Sequence, residues 1–283
     1  MLAPATFDIS VDPSLAVAGA GELCVTRVNA RSVVTRARAT SPLKLLTPRN
    51  HGRAAWVFTS TYGGGLVDGD AIALDIEIGD GASALLSSQA STKVYRSPRG
   101  SSTLLLGRVG RGALLVVLPD PVVCFAGSSY RQSQQFDLAS DSALVCLDWM
   151  TSGRRARGER WAFDAYRTRL AIRVDGDVVC YDAMTLDAAD DALAERFGRF
   201  DVLATVAIVG RAFREPCDRL LAATATRAVE RTADMLIAVA PLTDAGVLLR
   251  IAGRTVEDVG RVIRGALDFL PAVLGDDPWT RKW

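Results

Sequence analysis

The chain has 283 residues, 49% of them apolar and 23% charged, which is long enough to bury a core and too apolar for a disordered chain. Its 33 Lys and Arg offset 32 Asp and Glu, so no charge imbalance calls for nucleic acid or an anionic membrane as partner. Five cysteines (Cys24, Cys124, Cys146, Cys180, Cys217) form no CxxC pair, which argues against a disulfide framework or a thiolate zinc site and for buried thiols in a cytoplasmic protein.

In chain order, the N-terminal stretch "MLAPATFDISVDPSLAV" has no basic n-region and carries Asp8 and Asp12, so it is not expected to act as a secretory signal. The first two thirds read as strands. "ASALLSSQASTKVYRS" and "STLLLGRVGRGALLVVLP" are short apolar or alternating runs cut by glycines. The apolar run "ALLVVLPDPVV" is broken by Pro119, Asp120 and Pro121 before it reaches the length of a membrane span. "LAIRVDGDVVCY" predicts a hairpin turning at Asp175-Gly176. In the last third, "DVLATVAIV" is a strand and residues 216–233 look helical. "MLIAVAPL" and "GVLLRIAG" are two more strands. "TVEDVGRVIRGALDFL" is an amphipathic helix with Val256, Val259, Val262, Ile263, Ala266, Leu267 and Leu270 on one face and Thr255 placed to cap it. The predicted tail is therefore β-α-β-β-α, within one domain spanning residues 1–283, and no clean sequence repeat stands out.

Several stretches carry candidate chemistry. "TYGGGLVDGD" (61–70) is rich in glycine, but a phosphate loop needs Lys and Ser/Thr after its last glycine and a helix beyond. Here Asp70 and an alternating strand follow. A tight strand-to-strand corner fits better and leaves two aspartates beside the turn unexplained. His51 is the one histidine, with nothing local to orient it as a base, and reads as a surface or loop residue. "SGRRARGERW" is either a solvated basic loop or an anchoring surface. In the second reading Arg154, Arg155, Arg157 and Trp161 face a partner. Trp279 and Trp283 near the C-terminus either dock on the body or meet a partner. "SSQASTKVYRSP" is an exposed strand face or the wall of a polar channel.

Taken together, "SPLKLLTP" (41–48), "YGGGLVDGD" (62–70), "QASTKVYRS" (89–97), "LPDPVVCFAGSSYRQ" (118–132), "SGRRARGERW" (152–161) and "DPWTRKW" (277–283) occur in order along nearly the whole chain. This series resembles the urease accessory protein UreD family, called UreH in some bacteria. The resemblance implies a protein that is not an enzyme. It implies a scaffold that sits on apo-urease and binds UreF, which recruits the GTPase UreG. It further implies a mainly β fold, a right-handed superhelical stack of strands with a few helices late in the chain. No cofactor is implied to be tightly bound; Ni²⁺ is implied in transit through an internal polar passage. Carried over to this sequence, the passage residues are Asp70, Thr92, Asp148 and Glu159. Sparse oxygen donors suit a cation that must leave again, whereas nitrogen and sulfur donors would trap nickel. Asp68 adds a further carboxylate beside the turn. The competing readings are an enzyme using Asp148 and Glu159 as an acid pair, which requires carboxyls within about 5 to 10 Å across an open cleft, and a nucleotide-binding protein built on the glycine stretch.

Overall fold

Short alternating runs separated by glycine corners send the chain back and forth between two sheets. The computed structural model describes residues 19–49, 52–190, 192–226, 228, 230–242 and 246–280; His51 and Trp283 lie outside the described residues. A hairpin of β1 (Gly19–Val28) and β2 (Arg31–Ala39) comes first, then the antiparallel pair β3 (Leu43–Leu46) and β4 (Ala55–Thr61). The chain next lays down β5 (Ala71–Ile78), β6 (Ser83–Ser88), β7 (Thr92–Val94), β8 (Ser101–Val109), β9 (Leu114–Leu118), β10 (Val122–Cys124), β11 (Ser129–Leu138), β12 (Ala143–Thr151) and β13 (Ala165–Val174). Strand β13 turns directly into β14 (Asp177–Asp187). Asp175 and Gly176 both take positive φ there, 48° and 90°, the twist a two-residue hairpin needs.

Sheet order follows from this alternation. One sheet runs β14-β13-β11-β8-β5-β1-β2, parallel in its middle and closed at each edge by an antiparallel hairpin. The second contains β12-β9-β6-β4-β3, with β7 and β10 alongside, and continues from β12 into the C-terminal strands β15 (Val202–Val209), β17 (Gly246–Gly253) and β16 (Met235–Pro241). The helices are α1 (Leu193–Phe197), α2 (Arg214–Ala225), α3 (Val256–Ala266) and α4 (Leu270–Leu274), so the β-α-β-β-α tail is present.

The corners on one side of the stack do repeat, although no repeat is evident in the sequence. Ala82, Ala113 and Ser142 each donate a backbone hydrogen bond three residues back, to Gly79, Gly110 and Ala139. Leu114 N then bonds Ala82 O at 2.8 Å, and Ala143 N bonds Ala113 O at 2.9 Å, stacking each corner on the one before. An aspartate ties each corner to its neighbour: Asp80 Oδ1 accepts from Arg111 N, Asp141 Oδ1 from Gly112 N and Asp175 Oδ1 from Ser140 N. These side chains satisfy turn amides that the ladders leave over.

Three apolar clusters hold the layers. Between the sheets lie Leu23, Val25, Ile76, Leu115, Phe136, Leu144 and Ile172. Between the second sheet and the helices lie Trp56, Val116, Val145, Phe213, Val259, Ile263 and Leu267. At one end of the stack Leu66, Val94, Tyr130, Trp161, Phe163 and Tyr166 form a third.

Two helices are shorter than their apolar periodicity predicts. The last stops at Ala266 because Pro271 cannot donate to the carbonyl of Leu267, and the chain re-forms a helix with that proline in its first turn. Helix α2 ends at Ala225, where β-branched Thr224 turns its hydroxyl back onto the carbonyls of Leu220 and Leu221. The Thr255 cap is as predicted, with its Oγ1 accepting from Asp258 N at 3.1 Å.

Gly107 on β8 lies under the ring of Phe136, and a Cβ there would stand 2.5 Å from Phe136 Cδ1. Gly107→Ala should therefore cost about 2 kcal/mol in denaturant unfolding. Adding Phe136→Leu should recover part of the loss, and strict additivity of the two changes would contradict this packing.

Candidate functional site

The inward positions of the two sheets are apolar except along one seam. On β11, alternate residues Tyr130, Gln132 and Gln134 point between the sheets, in register with Thr168 of β13 and Thr103 of β8 across from Gln132. On β12 the alternation that buries Leu144 and Cys146 carries Asp148 to the facing position. The two sides meet there. Thr168 Oγ1 donates to Asp148 Oδ2 at 2.6 Å, Tyr166 OH reaches Oδ1 at 3.4 Å, and the Gln132 side chain lies near the carboxylate. The Tyr130 hydroxyl continues the seam, 2.6 Å from Thr103 Oγ1 and 3.2 Å from Gln132 Oε1.

A cavity lies on each side of this contact. The first, about 180 Å³, includes Ser88, Ser91, Thr92, Thr103, Tyr130 and Gln132 in its wall. The second, about 580 Å³, includes Asp148, Tyr166, Thr168, Asp182 and Arg250. Gln132 thus faces one cavity while its strand neighbour Thr168 and the Asp148 carboxylate face the other.

Burial pushes the Asp148 carboxyl above the usual carboxylate range. The side chains of Thr168, Gln132 and Tyr166 pull it back in part, and the nearby charge of Asp182 pushes it up. The Tyr130 hydroxyl is raised chiefly by burial, and so is that of Tyr166, beside the Asp148 charge. Phenolate chemistry is thereby suppressed and both hydroxyls are kept as donors.

The other sequence-derived candidates lie elsewhere. Thr92 is half-buried in the wall of the first cavity. Asp70 does not line either cavity; its Oδ2 accepts from Val67 N at 2.8 Å and closes the glycine loop on itself. Asp68 binds Arg99 through Nε at 2.8 Å and the backbone N at 2.7 Å, and these bonds hold its carboxyl below the usual range. The glycine loop is a corner from β4 to β5. Gly63, Gly64 and Gly69 take positive φ, and a Cβ at Gly65 would meet Lys93 O at 2.6 Å. No helix begins after it, so no phosphate cradle forms.

Glu159 also stands apart from Asp148 and faces neither cavity. Its carboxylate is gripped by Arg154 and accepts from Ala126 N at 3.2 Å, and the Arg154 hydrogen bonds hold it below the usual range. An Asp148–Glu159 acid pair across one cleft is therefore not assembled.

The arginine loop is folded onto the body. Arg154 stacks over the Phe125 ring, 3.9 Å from its centroid. Arg155 and Arg160 converge on the two oxygens of Asp201, at 2.8 and 2.6 Å, and Asp201 is 4% exposed. Trp161, expected at a partner surface, is instead 4% exposed: it stacks on Phe197 with centroids 4.4 Å apart and donates to Phe200 O at 3.1 Å. Arg155 and Arg157 remain exposed on the loop's outer side. Trp279 is half-buried against the cluster between helices and second sheet, so it docks on the body. The sequence search missed Gln132, Thr168, Asp182 and Arg250. Gln132 and Thr168 sit in strands with polar residues on both faces, so alternation does not single them out; Arg250 stands out as the one charge in the apolar strand GVLLRIAG.

Among the described residues, no group of three or more His, Cys, Asp or Glu side chains is placed to hold a metal ion, and no helix is long and apolar enough to cross a membrane. These features define a mainly β protein whose interior polarity runs along a seam between sheets rather than around a reaction centre. The sequence model described as UreD urease accessory protein matches residues 17–283. The chain is 52% identical over 266 residues to the urease accessory protein UreD of Sorangium cellulosum (strain So ce56), covering 94% of this chain and 85% of that one. It is 45% identical over 267 residues to the protein of the same name from Anaeromyxobacter sp. (strain Fw109-5), covering 93% and 89%. A plant relative, urease accessory protein D of Oryza sativa subsp. indica, is 39% identical over 212 residues, covering 72% and 69%. The chain belongs to the UreD family of urease accessory proteins, an accessory rather than a catalytic family, with a role in urease maturation.

Two outcomes follow from this geometry. A carboxyl whose folded pKa is raised contributes stability below its unfolded pKa, near 3.8, and loses it as pH rises through the folded value. Asp148→Asn removes that loss, so its unfolding free energy relative to the parent should climb as pH rises from 3 towards 7 and level off above the pKa of Asp148. A difference independent of pH would contradict the burial of the charge. Separately, Trp161→Ala or Asp201→Ala should each cost about 3 kcal/mol in unfolding, whereas a loop residue serving only a partner would cost almost nothing.

Proposed function

We propose that this chain is a cytoplasmic maturation scaffold that binds apo-urease and UreF, recruits UreG through UreF, and passes nickel towards the urease active site along the seam between its sheets. The reading rests on the Thr168–Asp148 hydrogen bond beside Gln132: Gln132 lines one cavity, and its strand neighbour Thr168, bonded to Asp148, lines the other. Nickel is cargo here, and the chain holds no cofactor of its own. A divalent cation moving through protein needs oxygen donors that are few at each step, so that it can leave. Ser88, Ser91, Thr92 and Thr103 offer hydroxyls on one side of the contact, and Asp148 and Asp182 offer carboxylates on the other. Burial of Asp148 has a further meaning for such cargo: its carboxyl holds a proton more tightly than a free one does, and a cation that must compete with that proton is held less firmly.

In this reading Asp70 and Glu159 act at one remove. Each fixes a loop at the end of the stack, Asp70 the glycine corner and Glu159 the arginine loop. The outer side of that loop, with Arg155 and Arg157, supplies an exposed basic surface for the partner complex.

The test is coexpression with urease, UreF and UreG. Asp148→Leu should leave the chain copurifying with UreF and urease while the nickel content of the urease, measured by metal analysis, falls several-fold. Nickel-replete urease from an intact Asp148→Leu complex would reject the passage, and failure of the parent chain to copurify with UreF would reject the scaffold.

A further inference from the structure

Four neighbouring strands of the second sheet carry one row of side chains in register. Asp148 of β12 pairs with Thr205 of β15, Thr205 with Arg250 of β17, and Arg250 with Ala238 of β16. Strand spacing puts Asp148 and Arg250 about 10 Å apart along the row. All four residues line the second cavity. On its other wall, β14 presents Asp182 and Met184, with Met184 in register with Thr168. Polar contacts cross this cavity from sheet to sheet at two levels. At the inner level Thr168 and Tyr166 both reach Asp148. At the outer level Arg250 Nη2 donates to Asp182 Oδ1. The outer contact joins β14, the last strand of its sheet, to β17, one strand in from the end of the other. Its arginine side chain is 54% exposed and its aspartate 20%, so the pair stands at the boundary between cavity and solvent.

We propose that the Arg250–Asp182 pair is a latch across the mouth of the Asp148 cavity. This inference rests on the passage reading above. With the latch closed, a guanidinium spans the opening and neutralises the carboxylate nearest to it. With the latch open, Asp182 is released to face the cavity beside Asp148, and the local charge becomes more negative by one. The cavity then favours a cation where before it held its own. The energetics suit a latch: a partly exposed ion pair contributes little net stability and is weakened by salt, so opening is thermally accessible. A divalent ion drawn to the cavity competes with the arginine for the Asp182 carboxylate. Arg250 is thus a positioning and selectivity residue for cargo, not a ligand.

The test uses the full chain with Met184→Cys as a thiol reporter inside the cavity, and Ala238→Cys, exposed on the Arg250 row, as a control whose rates the latch should not gate. Rates of reaction are measured with a small neutral thiosulfonate and with its trimethylammonium analogue. The slow background is subtracted using the chain without a reporter, in which Cys124, Cys146, Cys180 and Cys217 are buried and Cys24 is half-buried. Arg250→Ala should raise both rates at position 184, by roughly fivefold for the neutral reagent and by more for the cationic one. Asp182→Asn breaks the pair but leaves the arginine charge at the mouth, so it should raise the neutral rate and not the cationic one. Arg250→Lys should return both rates towards the parent. A neutral rate unchanged by both Arg250→Ala and Asp182→Asn would overturn the latch, including the case where only the cationic reagent responds, which is a field effect without closure. These rates do not depend on nickel delivery, so a nickel-replete Asp148→Leu urease would remove the passage while leaving the closure of the mouth measured.

Discussion

A carboxylate held between two β-sheets sets the terms for the interior of this protein. Burying such a group is costly unless donors surround it, and the nearby hydrophobic side chains offer none. The sequence answers with Thr168, Gln132 and Tyr166 on the opposite sheet, all aimed at Asp148. Those residues must stand at inward positions of parallel neighbours, so the register of β11 and β13 is bound to the chemistry of β12. A slip by one residue in either strand would turn the donors outward and leave the charge uncompensated. The seam is therefore also a device of fold specificity. It divides the apolar filling between the sheets from the aromatic cluster at the end of the stack.

The loops at that end are rigid for reasons that also differ from their first appearance. Glycine at 63, 64 and 69 allows the turn from one sheet to the other, and Leu66, fully buried, nails it to Val94. The arginine loop is drawn down by Asp201, a buried acid with two guanidiniums, and Trp161 fills the space beneath. Positive charge in this loop is thus largely internal wiring. What it presents outward is the remainder, a shaped basic rim at fixed positions rather than a mobile tail. A preorganised rim costs less entropy when a partner settles on it.

Much of this was legible in the sequence, and the boundary is physical. Local signals carried through: the Asp175-Gly176 turn, the Thr255 cap, the order of strands and helices after residue 202, and the glycine corner all depend on residues within a few positions of one another. The family resemblance pointed to Asp148 and Thr92, and both line cavities. What could not be read locally was partnership at a distance. Thr168 meets Asp148, Arg160 meets Asp201 and Arg250 meets Asp182 only once the strands are assembled into facing sheets. Asp70 and Glu159 illustrate the same limit from the other side, since a carboxylate near a polar passage and one that fixes its own loop look alike until the backbone amides are placed. Arg beside Trp at an exposed-looking turn resembles an interface, and only the aromatic stack with Phe197 shows otherwise.

The order of strands along each sheet has a consequence for biosynthesis. From β4 to β14, every strand except β7, which waits for β10, lands beside one already made, so position in space largely follows the time of emergence from the ribosome. Several corner amides find an acceptor in the corner before, as Leu114 and Ala143 do, or an aspartate in a neighbouring corner, as Arg111 and Gly112 do. A growing chain of this kind need never hold a long unpaired stretch in waiting, and domains that form from the N-terminus onward during translation are spared the exposed edges that invite misassembly. A larger departure is the final hairpin, where β17 slips in between β15 and the earlier-made β16, so the wall of the second cavity is finished only by the last strand to arrive.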